Sequence, residues 1–165
     1  MIVARVITCS DSASRGERVD LSGPALRGLL EDLGWSVDRV EIVPDERDRI
    51  AAAIAAAIDG DGVRLVVTTG GTGLSPRDVT PEATVEVAER LVPGFGELMR
   101  LRSLEKTPMA PLSRAEAAVR GRALIVNLPG SPKAAVENFE AVAHLVPHAL
   151  ELLAGEPIEE HPGSA

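Results

Sequence analysis

Residues 63–84, VRLVVTTGGTGLSPRDVTPEAT, carry the signals that decide the fold. Val63 to Thr69 is a β-branched apolar run whose Leu65-Val66-Val67 centre reads as a strand buried on both faces. Gly70-Gly71-Thr72-Gly73 ends the strand in a bare backbone loop. Thr80-Pro81-Glu82 then opens a helix, with a cap, a proline in the first turn and an acid at the positive end of the dipole. Strand, glycine loop and helix in succession form the repeating unit of an α/β sheet.

The same alternation extends in both directions. Upstream, Ile2 to Thr8 is an apolar strand, and the polar stretch from Asp11 to Gly23 reads as a loop. Leu26, Leu29, Leu30 and Leu33 recur at helical spacing before Gly34. Val37 to Val43 is a second strand. Pro44-Asp45 breaks it and leads into a helix marked by Ile50, Ile54 and Ile58, which Gly60 and Gly62 close. Downstream, the helix from Thr80 is predicted to reach about Leu91, with another from about Gly94 to Leu104. TPMAPLS (107–113) is a proline-rich loop. Ala117 to Asn127 reads as a hairpin with Gly121 in its turn. A last helix is predicted from about Ala134 to Leu153, broken near Pro147. The pattern predicts a three-layer α/β/α sandwich with a mostly parallel sheet and one antiparallel strand.

Length and composition bound the function. A chain of 165 residues is the size of one domain, predicted over 1–155, with 156–165 as a frayed tail. At 45% hydrophobic and 25% charged it matches ordinary globular proteins, which excludes collagen-like, coiled-coil and disordered readings. No apolar run approaches the ~20 residues of a membrane helix. A net charge of −8 without a basic stripe, together with two Phe, one Trp and no Tyr, argues against nucleic acid as partner. A membrane surface is unexpected for the same reason of charge. Cys9 is the one cysteine, so no internal disulfide can form and the cytoplasm is the expected compartment. A small ligand is the expected partner. If it is anionic, backbone amides or a divalent cation must attract it.

In a parallel sheet, ligands bind beyond the carboxyl ends of the strands. Four loops share that edge: Cys9 to Ser12, Pro44-Asp45, Gly70 to Asp78 and Pro129 to Lys133. The glycines let amides approach a phosphate closely, and Thr72 and Ser75 add hydroxyls; a plain tight turn is the alternative. No Gly-Lys-Ser/Thr follows, so this is not a Walker loop, and the dinucleotide fingerprint lacks its third glycine. Asp45 and Asp78 are candidate ligands for a hard cation over phosphates, with a helix cap and a turn acid, paired with Arg77, as the alternatives. Asp11 is a third candidate carboxylate. Lys133 is one of two lysines against 15 arginines, and a lysine in a first helical turn opposes the dipole unless it meets an anion. Ser113 is either a ligand donor or a cap. Cys9 reads as a packed thiol, His144 and His148 as surface or core residues, and Trp35 and Phe139 as packing residues. Nucleophile–histidine catalysis has no support.

VPDE (43–46), TTGGTGLSPRDVTPEAT (68–84), PGFGELMR (93–100), LSRA (112–115) and LPGSPKA (128–134) together resemble the MogA/MoaB-type molybdenum-cofactor proteins. The resemblance covers nearly the whole chain and is to the adenylyltransferase branch, which includes the G domains of gephyrin and its plant counterpart. It implies transfer of AMP from Mg-ATP to the terminal phosphate of molybdopterin, with release of pyrophosphate. It implies Asp45 and Asp78 as the catalytic and Mg²⁺-holding acids. Gly70, Gly71, Thr72, Gly73 and Ser75 would form the anion loop, Ser10 and Asp11 the nucleotide-side loop, and Ser113 a pterin-loop contact. Gly130, Ser131 and Lys133 complete the expected binding set, although some family members carry Asn or Gln at the position of Ser131. It further implies a homotrimer or hexamer and hand-over of the product to a molybdate-insertion protein. A non-catalytic pterin carrier or a scaffold of the same fold is the alternative.

Overall fold

The structure, a computed structural model, describes residues 1–155; the expected tail, 156–165, lies outside the described residues. Its strands are β1 (Val3–Cys9), β2 (Ser36–Val43), β3 (Leu65–Thr69), β4 (Arg90–Leu91), β5 (Ala117–Arg120) and β6 (Ala123–Leu128). They form one sheet in the order β2-β1-β3-β6-β5-β4. β2, β1, β3 and β6 are parallel. β5 runs against both β6 and β4, so it is the one reversed strand that the hairpin required. Gly121 makes the turn at φ +54°.

The helices are α1 (Asp11–Ser14), α2 (Ser22–Asp32), α3 (Arg47–Ala55), α4 (Thr80–Val87), α5 (Pro93–Ser103), α6 (Pro132–Val142) and α7 (Val146–Ala154). Period-2 alternation along each central strand sends side chains to opposite faces. Val6, Leu65, Val67, Leu124 and Val126 meet Leu26, Leu30, Phe139, Val142 and Val146 on the face covered by α2, α5, α6 and α7. Ile7, Val66 and Ile125 meet Ile50, Ile54 and Ala83 on the face covered by α3 and α4. These side chains are at or near zero exposure, and each large one stabilises the fold by about 1.5–3 kcal/mol. Trp35 packs edge-on to Phe139, ring centroids 6.0 Å apart, as packing residues.

Two local expectations differ from the structure. The Asp11–Gly23 stretch is not loop throughout: Ser10 caps a short helix, its hydroxyl accepting from the Ala13 amide at 3.2 Å, and α2 already begins at Ser22. The helix from Thr80 stops at Val87 rather than Leu91, because residues 89–92 serve as the partner of the open edge of β5. Glu89 and Val92 amides donate to the carbonyls of Val119 and Ala117, both at 2.8 Å, and Arg120 donates to the Val87 carbonyl at the helix end. The last helix breaks near Pro147 as the sequence predicts: a 3₁₀ turn, Ala143–Leu145, intervenes, and Pro147 falls in the first turn of α7 where its missing N–H costs nothing.

Arg5 is 1% exposed within β1 and ion-pairs with Asp38 of β2 and with Asp61, 2.9 Å away. This pairing lies toward the amino ends of the strands, opposite the candidate site. No helix among the described residues is long and apolar enough to cross a membrane.

Candidate active site

The chain passes from β1 outward to β2 and then returns to place β3 on the other side of β1. The loops after β1 and β3 therefore diverge at a topological switch point, where doubly wound sheets open a crevice. A cleft of about 390 Å³ lies there. Ser10, Asp45, Gly70, Gly71, Asp78, Gly130 and Ser131 line it, together with Thr8, Cys9, Arg18 and Asp20. The four loops that the sequence placed on one edge thus meet at a single opening.

Glycine at position 70 is required by close approach. Its φ is +98°, and a Cβ there would come under 3.0 Å from the backbone carbonyl oxygen of Cys9. Gly71, at φ +67°, passes as closely to the Thr80 hydroxyl. That hydroxyl donates to the Gly70 carbonyl at 2.9 Å, and the Gly70 amide donates to the Leu128 carbonyl at 3.0 Å. Arg114 fastens the far side of the loop. Its amide donates to the Thr72 carbonyl (2.9 Å), Nε to the Gly73 carbonyl (2.8 Å) and Nη2 to the Asp78 carbonyl (2.7 Å), while Nη1 pairs with Glu82.

Asp78 turns back onto its own loop, its Oδ2 accepting from the Ser75 amide at 3.0 Å. Asp45 and Asp11 clasp each other. The Asp11 amide donates to Asp45 Oδ2 at 2.9 Å, and the Asp45 amide donates to Asp11 Oδ1 at 3.0 Å. Arg77 pairs with Asp11, at 2.9 and 3.0 Å, and not with Asp78 as the sequence suggested. Burial, with the nearby charges of Asp11 and Asp78, raises the Asp45 carboxyl above the ordinary aspartate range. The Arg77 guanidinium holds Asp11 below it. Burial pushes the Cys9 thiol up to about 12, which suits a packed thiol and no nucleophile.

The remaining expected residues divide. Ser131 lines the cleft and caps α6, its hydroxyl oxygen accepting from the Ala134 amide at 3.4 Å. Thr72 is buried and Ser75 is exposed, and neither they nor Gly73 are among the residues lining the cleft. Ser113 faces a different hollow, about 520 Å³, with Arg47, Arg100, Arg114, Glu82 and Glu116. Lys133 points to solvent, 85% exposed and 3.9 Å from Glu137, so the helix places it outside the cleft lining.

Sequence reasoning passed over Asp20, Arg77 and Arg114 as site residues. Asp20 Oδ1 accepts from the Gly23 amide (3.0 Å) and its Oδ2 from the Thr8 hydroxyl (2.8 Å), so it fixes both α2 and the cleft wall. The acid directly ahead of Leu21-Ser22-Gly23 was a readable helix-start signal. Arg77 and Arg114 both lie inside quoted motifs, but their partners are remote in sequence. The site therefore offers carboxylates on three loops, a close-approach backbone loop and helix-capping serines around one polar cleft. Such a set suits the binding of a phosphorylated ligand with a hard cation.

Residues 5–153 match the family model described as "Probable molybdopterin binding domain". A molybdopterin adenylyltransferase of Helicobacter pylori is 47% identical over 152 residues, 91% of this chain and 86% of that protein. The crystal structure of the molybdopterin biosynthesis enzyme MoaB from Thermus thermophilus superposes with a TM-score of 0.89 at 52% identity, covering 95% of this chain and 99% of that one. A tungsten-cofactor-synthesizing MoaB from Pyrococcus furiosus superposes at 0.84 with 35% identity, over 92% and 96% of the two chains.

Proposed function

The chain belongs to the MogA/MoaB family of molybdopterin-binding proteins, and on that premise we propose that it is a molybdopterin adenylyltransferase. It transfers AMP from ATP to the terminal phosphate of molybdopterin. The observation that carries the reading is the convergence of Asp45 and Asp78, from loops 33 residues apart in sequence, on one cleft with Gly70 and Gly71.

In the reaction an oxygen of the molybdopterin phosphate attacks the α-phosphorus of ATP. The bond from that phosphorus to the bridging oxygen breaks, and pyrophosphate leaves with the electron pair. Two anions must be brought together, so positioning and charge neutralisation supply the catalysis and no covalent nucleophile is needed. The bare backbone at Gly70 and Gly71 allows a phosphate to approach the loop amides. Ser131 already accepts from an amide, so its hydroxyl hydrogen remains to donate to a phosphate oxygen.

The acids fit Mg²⁺. Asp45 and Asp78 each use Oδ2 to orient themselves, leaving Oδ1 for a cation. Among the described residues no cluster of three or more acidic, His or Cys side chains forms a complete metal cage. Mg²⁺ is characteristically held by one or two carboxylates together with water and substrate phosphates. Asp78 would be the principal ligand with Asp45 beside it. When bound, the ion offsets charge on the phosphates and the leaving group.

Product hand-over to a molybdate-insertion protein in the cytoplasm, and assembly as a trimer or hexamer, complete the proposal. The exposed Leu101 and Leu104 on and just beyond α5 support self-association through that face. The test is chromatographic detection of adenylyl-molybdopterin from molybdopterin, ATP and Mg²⁺, with Asp78→Asn alongside. Wild type forms product; the variant folds and binds molybdopterin but loses several powers of ten in rate, about 1.4 kcal/mol each. Wild-type turnover by the variant overturns the metal assignment. Tight molybdopterin binding by the wild type without product moves the protein to the carrier reading.

A further inference from the structure

We propose that Arg77 is a positioning residue for adenylyl transfer, acting through Asp11 to seat the Asp45 carboxylate; this rests on the adenylyltransferase reading. The geometry is a three-loop latch. Arg77 stands on the β3 loop, one residue before Asp78. Its Nε and Nη2 reach both carboxylate oxygens of Asp11, at 3.0 and 2.9 Å, across 66 residues of sequence. Asp11, at the start of α1, holds Asp45 twice: Oδ1 accepts from the Asp45 amide at 3.0 Å, and the Asp11 amide donates to Asp45 Oδ2 at 2.9 Å. The loops after β1, β2 and β3 are thereby joined through one guanidinium.

The chemistry favours a forked cation. Asp11, Asp45 and Asp78 bring three carboxylates near one another, and Arg77 is the guanidinium hydrogen-bonded to one of them. A planar guanidinium fixes a carboxylate plane with two parallel hydrogen bonds, whereas an ammonium neutralises charge without fixing orientation. Asp45, which lines the cleft, is held by the residue that Arg77 orients, so its carboxylate is fixed before any substrate arrives. The Arg77 side chain is 60% exposed, and exposed ion pairs contribute little to global stability. Its removal therefore alters the site and leaves the fold nearly unchanged.

Arg77→Ala, Arg77→Lys, Asp11→Asn and the Arg77→Ala/Asp11→Asn double variant test this by two independent readouts. In the transfer assay, Arg77→Ala is expected to lower kcat by about 10- to 100-fold with KM for ATP within about threefold. Arg77→Lys recovers only part of that loss, and the double variant is no slower than the slower single variant, because both act through one clasp. By amide hydrogen exchange on the unliganded protein, Arg77→Ala speeds exchange at Asp11 and Asp45 by about tenfold or more while the β3 amides are unchanged. Unaltered exchange at those two amides overturns the proposal. So does a loss carried by KM for ATP, or multiplication of the two single losses, either of which would place Arg77 on substrate directly. If wild type forms no adenylyl-molybdopterin, the adenylyltransferase reading fails on its own, and the exchange result alone decides the latch.

Discussion

Replacing Gly70 by alanine separates backbone strain from close approach, because the same chain carries a matched control. Gly70 and Gly34 both hold positive φ, +98° and +80°. Around Gly34 a Cβ would meet nothing within 4 Å, whereas at Gly70 it would lie under 3.0 Å from the Cys9 carbonyl oxygen. Alanine in the left-handed region costs about 1–2 kcal/mol, and that is the whole expected cost of Gly34→Ala. At Gly70 the obstacle is backbone of β1, which is paired residue for residue with β3 up to Thr8 and Thr69, so it cannot swing aside as a side chain could. Overpacking of this kind adds about 1–3 kcal/mol, giving about 2–5 kcal/mol in all. Urea denaturation followed by circular dichroism measures both variants. The expected result is a loss at Gly70→Ala exceeding that at Gly34→Ala by at least about 1 kcal/mol, with unchanged m-values. Equal losses would refute the argument that close approach of β1 and β3 shapes the cleft floor.

Other outcomes follow from the charges. Asp45→Asn is expected to abolish most transfer while leaving the apo protein as stable or more stable in thermal melts. A carboxyl whose folded pKa is raised destabilises the fold once pH exceeds that value, and the amide removes the charge while keeping an acceptor for the Asp11 amide. Asp11 has the opposite sign: Arg77 lowers its folded pKa, so its contribution is present above the ordinary aspartate range and is lost as pH falls through the folded value. An acid titration of Asp11→Asn should therefore lie nearer to wild type at low pH than at neutral pH. Arg5→Ala takes the guanidinium from Asp38 and leaves Asp61 paired with Arg39 alone, and is expected to cost about 3 kcal/mol, the low end for a broken buried pair because both acids are partly exposed. Arg5→Met, which fills the same space, removes the same guanidinium and should recover only packing; a variant as stable as wild type in denaturant titration would contradict this.

Much of this was readable in one dimension. Period-2 and period-3.6 patterns mark strands and helices because burial acts on residues two, three or four apart, and Leu26, Leu30, Ile50 and Ile54 do lie at zero exposure. Ser131-Pro132 announces a helix start because its cap is satisfied within four residues, and Thr80-Pro81-Glu82 does so through its proline and acid; Thr80 itself is not the expected cap, since its hydroxyl donates to the Gly70 carbonyl and no side chain caps α4. The β4 strand was not readable, since its two residues, Arg90–Leu91, are drawn into the sheet by the open edge of β5 rather than by their own preference. Lys133 was misplaced for a related reason: whether a first-turn side chain faces the cleft or solvent depends on the rotation of α6 about its axis, which packing of Ala135, Phe139 and Val142 sets.

By itself, the sequence determined the three-layer class, the four loops at one sheet edge and the place of Asp45 and Asp78 on two of those loops, all consequences of local pattern or of recognisable motif. Tertiary structure alone decided that β3 returns beside β1, that Arg77 spans 66 residues to Asp11, and that Ser113 faces a separate hollow from the cleft. Strand order and ion pairing are contests between distant segments, and their free energy depends on which surfaces meet. No local window along the chain contains that information.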